Sequence, residues 1–158
     1  MNDALRLELI AMEREDHVVR ERLAKDGSLY EGYHPEMEAV HRRNGERLAV
    51  LLDQHGWIGP HLIGEDGAHA ALKIVMHAIG MPTLQRRCLR LQQEARARGE
   101  IPEGPVAFLD DRIRVFEGRL QRYGHTVRVR RRRQHDPRAN RGRGKCERAA
   151  SGYRPRHY

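Results

Sequence analysis

Glu38 and His41 stand three residues apart, and His34 precedes His41 by seven. On a helix the three share one face, and a Glu-x-x-His pair is the spacing with which carboxylate-bridged metal bundles hold their ions. Such centres draw a second pair from another helix, and the chain supplies none. His77 would add a third nitrogen, but no spacing requires it. The incomplete motif reads as hydrogen-bonded or solvent-facing histidine on a bundle helix, so no metal ligands are expected. The residues name no cofactor.

Two further groups could do chemistry. His55-Gly56-Trp57 is followed by Gly59, His61 and Gly64, glycines that would turn the backbone around the indole. A helix beginning near Glu65–Gly67 would offer free N–H groups to an anion. The plainer reading is a tryptophan-anchored loop, with Trp57 largely buried against the next helix and His55 at a helix C-terminus, where the dipole favours it. The other group comprises polar residues in otherwise apolar helices: His77, Gln85, Arg86, Asp111, Arg112, Gln121 and Tyr123. A satisfied buried network accounts for them. So does a cleft in which His77 is a general base or ligand while Arg86 or Arg112 holds an anionic group. The catalytic candidates are therefore His77 and Arg112. The ligand-binding candidates are His34, His41, His55, Trp57, Arg86, Gln121 and Tyr123.

The elements that must position these residues are helices. Leu5, Leu9, Met12, Val19 and Leu23 recur at spacings of three, four and seven, which predicts a helix over 2–26 with Asn2 or Asp3 as its cap and Gly27 as its stop. Pro35 opens a second, 35–55, whose stripe is Met37, Val40, Leu48, Leu51 and Leu52. Residues 57–67 read as a loop. The stretch 66–79 is apolar on most faces, so it is expected to be central. Helices over 83–98, capped by Thr83, and 105–117 complete the set. Five helices joined by short loops predict a compact all-α bundle.

No window of the 158 residues approaches the length of apolar sequence that crosses a membrane, and the N-terminus lacks the order of a signal peptide. Cys88 and Cys146 are too few for a disulfide framework or a four-cysteine zinc site. A cytoplasmic protein is expected. Templates for a phosphate loop, a serine-hydrolase elbow and an HExxH zinc helix are absent. Cys88, within RRCLRL, reads as a packing residue rather than a nucleophile.

Charge divides the chain. Residues 125–158 hold 12 Lys/Arg against Asp136 and Glu147, whereas residues 1–124 hold 18 basic and 20 acidic side chains. The last 34 residues thus carry +10 and the first 124 carry −2, which together give the net charge of +8. Their composition predicts a disordered basic tail. Arg130, Arg131, Arg132 and Arg133 would bind phosphates nonspecifically, which makes a nucleic-acid-associated protein the alternative function. No aromatic platform accompanies them.

From about Glu15 to Gly124 the chain resembles a bacterial domain-of-unknown-function family, number 6624. The resemblance is carried by DGSLYEGYHPEMEAVHRRNGERL at 26–48, HGWIG at 55–59, LIGEDGAHAA at 62–71, HAIG at 77–80, LQRRCL at 84–89, ARGEIP at 97–102 and LDDRIRVFEGRLQRYG at 109–124. It implies a mostly helical cytoplasmic protein and no activity. It also implies a continuation Thr-Gln-aromatic-acidic after Gly124, where this chain has His125-Thr126-Val127-Arg128-Val129. One base inserted before ACA CAG TTC GAG TGG yields codons for this pentapeptide. Residues 125–158 are accordingly expected to be frameshifted. A small helical protein that binds, or acts on, a small polar or anionic ligand in a cleft between helices is therefore expected.

Overall fold

The computed structural model describes residues 1–124. Five helices follow one another: α1, Asp3–Lys25; α2, Pro35–His55; α3, Pro60–His77; α4, Pro82–Ala97; and α5, Glu103–Phe116. No strand forms among the described residues. The expected tail disorder and the expected departure from the family after Gly124 lie outside them.

Asn2 closes α1, its side chain accepting the Leu5 N–H at 3.1 Å. Gly27, at φ 84°, turns the chain into a 3₁₀ turn over Ser28–Tyr30. His34 caps α2, accepting the Glu36 N–H on its ring nitrogen, and Pro35 occupies the first turn. The third helix begins earlier than its apolar run suggested. Pro60 starts a turn that the sequence reading assigned to the loop, and Gly64 (φ 73°, ψ 172°) breaks it before the main run resumes. The backbone of Asn2 donates to the Leu62 carbonyl at 2.7 Å beside this kink. The fourth helix starts at Pro82, with Met81 as its cap, so Thr83 lies inside it.

The central position of α3 is as expected: it packs on α1, α2, α4 and α5. The main core joins Leu5 and Leu9 of α1 to Leu48, Leu51 and Leu52 of α2, with Ile74 and Val75 of α3 between them. Gly67 lets α1 approach α3, since a Cβ there would stand 3.2 Å from Arg6 Cγ. Trp57 is only half-buried. It packs on a small separate cluster of Ala95, Ile101 and Val106 and also borders Ala71 and Val75 of α3, so it meets α3 without being largely buried.

Cys88 is fully buried in the main core, and burial pushes its thiol up to about 12. At pH 8 only about one molecule in 10⁴ would carry the reactive thiolate. In Cys146→Ser, a chromogenic disulfide reagent is therefore expected to leave Cys88 unmodified until denaturant is added. Stoichiometric release of chromophore within minutes from the folded variant would refute this.

Candidate functional site

The α1 stripe Leu5, Leu9, Met12, Val19 and Leu23 contains a gap, and Asp16 fills it. The helical period that buries the leucines therefore also buries a carboxylate, only 3% exposed. His41 lies beside Val40 on the buried face of α2 and is 5% exposed. His77 is the last residue of α3, and its side chain remains 29% exposed. Three helices thus deliver three titratable groups to one point.

Asp16 Oδ2 accepts from His77 Nδ1 at 2.8 Å and lies 3.2 Å from His41 Nε2. The second approach is poorly aligned, and His41 Nε2 has no hydrogen bond among the described residues; neither has Asp16 Oδ1. His41 Nδ1 is engaged on its other side by the Tyr33 hydroxyl at 2.8 Å, and the Tyr33 ring stacks on the imidazole. Burial works to raise the Asp16 pKa, but the two histidines outweigh it and hold the carboxyl well below its usual range. Burial, followed by the charges of Glu38 and Asp16, pushes the Tyr33 phenol up. One ligand atom from each of Asp16, His41 and His77 lies within 4.8 Å of the others, so these residues could hold a metal ion.

Neighbouring bonds brace the group. Asn44, buried one turn beyond His41, donates to the Met12 carbonyl at 3.1 Å and ties α2 to α1. Arg112 donates to the Met76 carbonyl at 3.0 Å, which fixes the end of α3 next to His77. A cleft of about 70 Å³ opens over His41, lined also by Tyr33, Glu38, Arg42, Gly80 and Met81. Arg42 is exposed at its mouth and forms no ion pair among the described residues.

The structure brings His41 and His77 together and separates the other candidates from them. His34 is the α2 cap, and His55 is exposed at the opposite end of that helix. Arg86 pairs with Glu117 on the surface. Arg112 stacks on Phe116 at 4.9 Å and supports α3 from behind instead of lining the cleft. Gln121 is half-buried in the segment after α5. Tyr123 gives its backbone N–H, as Arg122 does, to the fully buried carboxylate of Asp111, at 3.0 and 2.6 Å. Trp57 lines a different cleft of about 130 Å³ with His69, Gln92 and Ile101. Arg130, Arg131, Arg132 and Arg133 lie outside the described residues. Sequence reasoning missed Asp16, Tyr33 and Arg42, although the gap in the α1 stripe pointed to the first.

Fold and site together define an all-α bundle with a carboxylate–histidine centre buried between its first three helices and open to solvent on one side. The chain belongs to the family of unknown function DUF6624, whose model matches residues 3–156. The match begins before Glu15 and runs past Gly124, where the resemblance was expected to stop. No curated protein and no solved structure matches the chain. No described helix is long and apolar enough to cross a membrane.

Proposed function

We propose that the protein binds a small anionic ligand in the cleft over His41, with His41, backed by Asp16 and His77, on its wall and Arg42 as the clamp at its mouth. The observation that carries this reading is the lining of the cleft, where the exposed guanidinium of Arg42, with no ion pair among the described residues, stands beside His41. Asp16 and His41 are more than nine-tenths buried, yet each keeps a polar atom without a hydrogen bond among the described residues. Such atoms cost about 1–3 kcal/mol each when they are left without a partner. An unpaired carboxylate oxygen calls for a donor or a cation, so the guanidinium of Arg42, and not these atoms, holds the anion. The size of the cleft favours a group of few atoms, such as a carboxylate or phosphate.

The test is to add phosphate, acetate and citrate to the full-length protein and follow its labelled histidine side chains by NMR. Saturable shifts at His41 and His77 are expected with at least one of these anions. Arg42→Gln should weaken that binding at least 10-fold without lowering the melting temperature, because its exposed guanidinium holds nothing else together among the described residues. If every anion leaves both histidines unmoved at tens of millimolar, the reading fails.

A further inference from the structure

We propose that Asp16, His41 and His77 hold a divalent transition-metal ion of the zinc or iron(II) class. The inference deepens the cleft reading and rests on it in one respect: the open side of the metal is taken to be the side on which the anion binds. It departs from the expectation drawn from Glu38-x-x-His41, because the ligands come from three helices and share no local spacing.

Four observations carry it. The donor set is two imidazoles and one carboxylate, which suits borderline divalent ions and which recurs with open positions in catalytic sites. The donor atoms are already gathered, with Asp16 Oδ2 at 2.8 Å from His77 Nδ1 and 3.2 Å from His41 Nε2. Ligands bound tetrahedrally at about 2.0–2.1 Å stand about 3.3 Å apart, so small adjustments would admit an ion. Asp16 Oδ1 and His41 Nε2 are buried without hydrogen bonds among the described residues, the state expected of ligand atoms awaiting a cation. Finally, Tyr33 Oη is 2.8 Å from His41 Nδ1. With Nδ1–H donating to that hydroxyl, Nε2 presents its lone pair inward, as the outer partners of metal-bound histidine arrange.

The chemistry of the occupant follows from charge. One carboxylate and two neutral imidazoles leave a divalent ion with a net charge of +1 and, with only three protein ligands, an open position. His41 borders the cleft, so that position would recruit an anion there, and Arg42 lies on the same side.

The test uses the full-length protein, stripped by chelation and titrated with Co²⁺ and then Zn²⁺. One Co²⁺ per chain is expected, with visible absorption that Zn²⁺ abolishes. His77→Ala, whose side chain is 29% exposed, should weaken cobalt binding at least 100-fold in protein that circular dichroism shows to be folded, and Asp16→Asn should do the same. Tyr33→Phe should weaken it about 10-fold, as the loss of an outer-shell partner does. Absence of stoichiometric uptake overturns the proposal, as does an unchanged cobalt spectrum in His77→Ala, which would place the metal elsewhere. Anion shifts in the chelated protein that depend on Arg42, without metal uptake, overturn this inference and leave the cleft reading standing. Metal uptake that needs His77, with no anion effect, supports the ion and sinks the anion.

Discussion

In metal-free Asp16→Ala, the folded state is expected to lose about 3–5 kcal/mol, the usual cost of removing one member of a buried polar pair. The loss would not come from packing alone. His77 Nδ1 would forfeit its acceptor at 2.8 Å, and the 5%-exposed His41 would keep Nε2 in the interior without its ion-pair partner. Replacing all three polar residues together removes that penalty, since an apolar set of suitable size leaves no orphaned group. The triple variant Asp16→Leu, His41→Leu, His77→Leu should therefore recover most of the lost stability while losing every ligand response. Denaturant titration of both variants checks this. An Asp16→Ala midpoint equal to the parent's would show that the carboxylate does not hold the two histidines.

The second large effect belongs to the core. Leu9 is fully buried on the same α1 stripe, in the cluster shared with α2 and α3. Leu9→Ala should cost about 3–5 kcal/mol through lost transfer energy and the cavity left behind. Leu7, two residues away on the solvent face and 59% exposed, is the control, and Leu7→Ala should remain within about 0.5 kcal/mol of the parent. Thermal melts of the two single variants separate these outcomes. Similar shifts for both would mean that α1 does not present this face to α3.

The helices were legible because each carried its own apolar period, cap or proline. Even the early start of α3 had a signal in Pro60, but Gly64 interrupts the period and made the first turn resemble a loop. The site was half legible. His41 and His77 stood out as histidines beside Val40 and after Ile74-Val75-Met76, and both reach the centre. Asp16 was hidden in the acidic run Glu13-Arg14-Glu15-Asp16, where composition suggests solvent and only the phase of the helix shows burial. Arg86, His55 and Trp57 were attractive by residue type, but which arginine meets an ion-pair partner and which faces a cleft depends on how helices cross. Local sequence does not encode that crossing. The pairing of Arg86 with Glu117 and the solitary position of Arg42 emerge only from the packed bundle.

Because α1, α2 and α3 each contribute one member to the centre, the centre has no existence in any fragment of the chain. Transient undocking of α1 carries Asp16 away and dissolves it at once. An occupant bound to all three helices must then oppose each such opening by the same free energy, about 2.7 kcal/mol at a hundredfold excess over its dissociation constant. Backbone amides at the middle of these helices would exchange with deuterium about a hundredfold more slowly when the centre is filled, as one cooperative unit. Amides of α4 and α5, which give no side chain to the centre, would slow only where their exchange requires the first three helices to open. The map of retarded amides would thus trace which parts of the bundle unfold together.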